Sequence, residues 1–129
     1  MMKIVTALAL GLTLGLAVPA AAEPVAGAAG LVTVELDLDL ADSPVGDFIE
    51  VPFRLTDADG APLTGAEVRI SGGMAMHGHG LPTSPVIEEL GEGRYVIKGL
   101  KFSMDGEWQV RLSVTAGAVA DTVDYEFSL

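Results

Sequence analysis

The stretch LVTVELDLDL, residues 31–40, puts Val32, Val34, Leu36, Leu38 and Leu40 on one parity and Thr33, Glu35, Asp37 and Asp39 on the other. Successive side chains of an extended strand point to opposite faces, so this pattern buries one face of a strand and wets the other. A helix would scatter the same charges around its axis. The alternation returns in DFIEVPFRLTD (47–57), where Ile49, Val51, Phe53 and Leu55 share a parity. Pro52, which has no N–H to give to a ladder, predicts an edge strand or a bulge there. AEVRIS (66–71), PVIEEL (85–90), GRYVIKGL (93–100), EWQVRLSV (107–114) and DTVDYEFSL (121–129) follow. Turn residues separate them at Asp57-Ala58-Asp59-Gly60, Gly91-Glu92-Gly93 and Asp105-Gly106. About seven short strands with no amphipathic helix among them predict an all-β, immunoglobulin-like antiparallel β-sandwich over residues 31–129. Trp108, the single tryptophan, is expected between the sheets with Phe102, Tyr95 and Val110 as neighbours.

Upstream of the strands, EPVAGAAG (23–30) is small and featureless and reads as a flexible lead-in. Before it, residues 1–22 have Lys3, an apolar stretch from Ile4 to Val18 and a small-residue end at Ala20-Ala21-Ala22, the pattern of a secretory signal peptide. The apolar run approaches the roughly 20 residues that span a bilayer, so an uncleaved anchor is the alternative; the A-x-A ending favours cleavage. With no second apolar span, the expected product is a periplasmic or secreted domain with no membrane span after signal cleavage.

The chain has 129 residues, room for one small domain. Its 7 Lys and Arg against 18 Asp and Glu give a net charge of −11, which phosphate backbones and anionic membranes would repel, so nucleic acid is not an expected partner. With no cysteine, disulfides, thiolate metal sites, thiol catalysis and a lipid-bearing cysteine all drop out.

Both histidines fall within SGGMAMHGHGLPTSP (71–85), just after two of the five methionines. Its glycines and prolines predict an exposed loop between the sheets. Imidazole and thioether donors together form a soft set that suits Cu(I) ahead of Cu(II), with zinc behind both because a four-ligand zinc site would need carboxylates here. In a straight strand Met74 and Met76 would face away from His77 and His79, so convergence on one ion requires a bend, which Gly78 and Gly80 permit. The competing reading makes His77 and His79 solvated loop residues and Met74 and Met76 filler packed beneath the loop. Met104 shares the parity of Phe102 and reads equally as a core methionine or a ligand.

Other chemistry finds little support. Asp57 opens a D-x-D-G run, but a calcium loop begun there would put Ala61 at a ligand position and Val68 where a bidentate glutamate must stand, leaving a turn. No acidic residue lies near the histidines in sequence to orient a catalytic base, and the chain is not expected to be an enzyme.

The D-x-D-G-x-P-L-T-G-A-x-V run (57–68), M-x-M-H-G-H-G-L-P-T-S-P (74–85), G-x-Y (93–95) and G-L-K-F-S-M-D-G-E-W (99–108) together resemble the YtkA-like and FixH-like small periplasmic domains. The resemblance implies an immunoglobulin-like sandwich and a role in handling copper or another cation. It also implies partners such as a copper donor or acceptor protein, or a respiratory or metal-export assembly. The positions carried over are His79 in the H-G-L-P-T run and Met104 in the F-x-M-x-G-x-W run. FixH-like proteins generally keep an N-terminal membrane anchor, whereas this leader ends in a cleavage pattern. The expected function is therefore an exported copper-binding domain with His77, His79, Met76, Met74 and Met104 as ligands; the alternative is a metal-free immunoglobulin-like interaction module.

Overall fold

A computed structural model describes Gly11 and residues 21–129; apart from Gly11, Ala21 and Ala22, the expected leader lies outside the described residues. Among the described residues nine strands form two antiparallel sheets: β1 (Val25–Ala26), β2 (Val32–Leu36), β3 (Phe48–Asp57), β4 (Glu67–Met74), β5 (His79–Gly80), β6 (Val86–Gly91), β7 (Arg94–Lys101), β8 (Glu107–Ala116) and β9 (Val119–Ser128). One sheet has the order β1-β2-β3-β7-β6 and the other β5-β4-β8-β9. Leaving aside the two-residue strands β1 and β5, the seven remaining strands lettered A to G in chain order fall into sheets ABED and CFG. That is the arrangement of an immunoglobulin constant-type sandwich.

Period-two patterning builds the core. Along β8, Trp108, Val110, Leu112 and Val114 are buried while Glu107, Gln109 and Arg111 are exposed. Val32, Val34 and Leu36 of β2, and Val51, Phe53 and Leu55 of β3, meet them from the other sheet. The ring of Trp108 meets Phe102 edge-on at 5.0 Å, as its expected place between the sheets requires, whereas Tyr95 stacks on Phe53 at 5.4 Å.

Pro52 does not mark an edge, since β3 lies between β2 and β7. The Asp37 N–H donates to the Pro52 carbonyl, and proline has no N–H to return, so the ladder with β2 ends at the Leu36–Phe53 pair. A bulge does occur next to it, between Ile49 and Val51 on the β7 side. The strand expected over 31–40 accordingly stops at Leu36. The chain then turns through a short 3-10 helix at Leu40–Asp42, with the Asp39 carboxylate accepting from the Ala41 N–H.

Residues 23–30 are not a free lead-in. Val25 and Ala26 pair with Val34 and Thr33, and the segment that follows is held by Asp121 of β9, which is 7% exposed. Asp121 Oδ1 accepts from the Ala29 and Thr122 amides at 2.8 Å each, and Oδ2 from Leu31 at 2.9 Å and Val32 at 3.3 Å. Burial pushes this carboxyl up, but the four N–H donors act against it and leave it below the ordinary aspartate value. The segment therefore ties the edge of one sheet to the last strand of the other. Among the described residues no helix is long and apolar enough to cross a membrane.

Candidate metal centre

The 71–85 segment is less of a loop than its glycines suggest, because β4 runs on through Gly72 and Gly73 to Met74. Both glycines have positive φ, 154° and 144°. A Cβ on Gly72 would stand 2.1 Å from the Gln109 carbonyl oxygen, and one on Gly73 would stand 2.1 Å from that of His79. Glycine here lets two neighbouring backbones close in on β4 rather than breaking it. Ala75–His77 then form a 3-10 turn that ends at Gly78 in the left-handed conformation, φ 65°, and β5 folds back with His79 opposite Met74. This hairpin is the required bend.

Directly paired residues of adjacent antiparallel strands present their side chains on the same face. Met74 and His79 thus share one side of the hairpin, and both line a pocket of ≈ 370 Å³ with Leu81, Ser103, Met104 and Trp108. Met74 is 1% exposed and belongs to the hydrophobic core, so the packed reading holds for it; it is also the pocket floor. Its methyl group rests where a Cβ on Gly106 would come within 2.5 Å. Met104 is 47% exposed, which removes it from the core, and it lines the same pocket. Two anchors hold its turn: the Trp108 indole N–H donates to the Met104 carbonyl at 3.0 Å, and Gly106 and Leu129 exchange backbone hydrogen bonds at 2.8 and 2.9 Å.

The other two expected ligands lie elsewhere. Met76 is 86% exposed, not packed beneath a loop, and borders a separate depression with Glu107, Trp108, Gln109 and Glu126. His77 is exposed on the turn, its ring centroid 6.3 Å from that of His79 with the planes 25° apart. Metal–nitrogen bonds of about 2.0–2.1 Å keep the centroids of two imidazoles on one ion within about 6.5 Å, so this separation is at the outer limit of sharing. The structure therefore places Met74, His79 and Met104 around one pocket and Met76 and His77 outside it.

Among the described residues no three His, Cys, Asp or Glu side chains gather as a metal-binding group, so no carboxylates complete a zinc set around the histidines. The donors that line the pocket are two thioethers and one imidazole, a set that fits a soft monovalent ion and suits zinc or calcium poorly. Sequence reasoning placed Trp108 in the core and missed its second role as pocket wall and as the donor that holds the Met104 carbonyl. The signal was the M-D-G-E-W spacing, a four-residue reach across a turn.

A family model described as YtkA-like matches residues 28–113. The chain belongs to the YtkA-like family. The matched span runs from the Asp121-held segment to the middle of β8 and includes every residue of the pocket. No curated protein and no solved structure matches this YtkA-like domain.

Proposed function

We propose that this YtkA-like domain is an exported, non-enzymatic copper-handling protein that holds Cu(I) at Met74, His79 and Met104 and buffers it or passes it to another protein. The observation that carries the reading is the arrival of Met104, from a distant part of the chain, at the pocket lined by the hairpin pair Met74 and His79. Two thioethers and an imidazole supply soft, uncharged donors, and a Cu(I) ion bound there would be the cargo rather than a reaction centre. Thioether sulfurs favour the lower oxidation state of copper. The leader pattern of residues 1–22 supports a periplasmic or secreted location, where a copper donor or acceptor protein, or a respiratory or metal-export assembly, would be the partner.

The test is anaerobic competition for Cu(I) between the purified protein and a colorimetric chelator, alongside His79→Ala and Met104→Leu. Stoichiometric uptake by the wild type that weakens in both variants supports the assignment. Uptake unchanged in both variants would remove the pocket from consideration.

A metal-free interaction module has one observation in its favour. Val45, Phe48, Met76, Val86 and Met104 are large apolar side chains exposed at the pocket end of the sandwich. That reading predicts partner capture that chelator does not alter.

A further inference from the structure

We infer that the β4–β5 hairpin separates holding from exchange: Met74, His79 and Met104 retain the ion, while Met76 and His77 at the hairpin tip form the port through which it enters and leaves. The inference rests on the copper reading and concerns how the same site is loaded and emptied. Met76 is a large apolar side chain left 86% exposed, giving up the stabilisation that burial would return. Its position on a three-residue 3-10 turn sends it to a separate depression that shares Trp108 with the pocket, so it neither fills the core nor shares the floor with Met74.

A pocket whose floor methionine is only 1% exposed presents a second difficulty, since an acceptor's ligand cannot reach that sulfur directly. His79 and Met104 at the rim are the reachable members, and His77, also exposed, stands 6.3 Å from His79, centroid to centroid. The donors thus form a graded series: Met76 and His77 at the hairpin tip in water, His79 and Met104 at the rim, and Met74 within. Passage along it is a succession of ligand exchanges in which each new Cu–S or Cu–N bond replaces one being released. The ion remains Cu(I), and no electron or external reductant enters the step. The partner chemistry that fits the outer pair is a protein or small chelator offering soft thioether, imidazole or thiolate donors of its own.

The experiment compares equilibrium with rate. Full-chain protein loaded with Cu(I) is mixed anaerobically with excess bicinchoninate in a stopped-flow instrument, and its affinity is measured separately by competition. Wild type, the double variant Met76→Leu with His77→Gln, and Met104→Leu are compared. The double variant is expected to keep a single equivalent with affinity within about threefold of wild type while releasing and acquiring it about tenfold more slowly; Met104→Leu should lose affinity instead. Wild-type exchange rates in the double variant would overturn the port while leaving the holding site standing. A loss of affinity in proportion to the loss of rate would make Met76 and His77 holding ligands and also overturn it. No Cu(I) uptake by any form would overturn the copper reading itself, and the port with it.

Discussion

Asp121 holds the N-terminal crossing of the sandwich through four backbone amides, and its replacement by alanine has a calculable cost. Three of the bonds, to Ala29, Leu31 and Thr122, are 2.8–2.9 Å, and the fourth, to Val32, is 3.3 Å. Hydrogen bonds to a charged group contribute about 1.5–3 kcal/mol each, but water can take over the amides of the exposed Ala29 and Leu31 once the segment loosens. Val32 is 1% exposed, so its amide stays buried without a partner and incurs about 1–3 kcal/mol more. Asp121→Ala should therefore destabilise the fold by about 3–4 kcal/mol, a fall in Tm on the order of 15 °C for a domain of this size. Asp121→Asn should approach the same loss, because its NH2 group must face either the Ala29 and Thr122 amides or those of Leu31 and Val32. Urea unfolding followed by Trp108 fluorescence reads the loss, and amide hydrogen exchange at Ala29, Leu31 and Val32 reads its location. A loss below about 1 kcal/mol, or a full loss with exchange at those amides unchanged, would refute the reasoning.

The same carboxylate makes a prediction in pH. Its folded pKa lies below the unfolded value of about 3.9, so its stabilisation is present above that value and is lost as pH falls through the folded pKa. Urea midpoints between pH 7 and pH 3 should drop more steeply for wild type than for Asp121→Asn; parallel curves would count against the assignment. Gly73→Ala brings a Cβ to 2.1 Å from a backbone oxygen at φ 144°, and should cost about 3 kcal/mol while separating His79 from Met74, checked by thermal melts and Cu(I) competition. Trp108→Phe keeps the ring packing but deletes the donor to the Met104 carbonyl, an expected loss of about 1 kcal/mol by urea unfolding followed by circular dichroism. Because Trp108 lines the pocket, titration with Ag(I) should change its fluorescence and saturate at a single equivalent in wild type but not in Met104→Leu.

Strands such as β2, β3 and β8 were legible because each buries one face, and period-two patterning records that directly. What escaped were features set by partners outside the local window. Pro52 reads as an edge or a bulge; the bulge is there between Ile49 and Val51, but the strand is central and tolerates proline where the neighbouring ladder has ended. The 23–30 segment has no pattern of its own, since an aspartate some ninety residues away in sequence holds it. Gly72 and Gly73 read as strand breakers, although close approach by two flanking backbones is what they supply. At the site, the HGH run and its methionines were visible as chemistry, but depth was not. Met74 and Met76 share a parity and so should share an environment; the 3-10 turn beginning at Ala75 breaks the period and puts one at the floor and the other in water. Met104 could be linked to them only through family resemblance, because nothing in its own neighbourhood points thirty residues back.

The pocket also joins the two layers of the fold. Met74 and His79 belong to the four-stranded sheet, and Met104 lies on the connection by which the chain leaves β7 of the five-stranded sheet. An ion bound to all three closes a loop containing β6 and β7, and so acts as a reversible cross-link in a domain whose lack of cysteine denies it a permanent one. Under the copper reading, β6 and β7 would peel away only after the ion departs, so a protease supplied with the apo and loaded forms should distinguish them by how readily that end opens. Occupancy would then govern the protein's lifetime as well as its cargo.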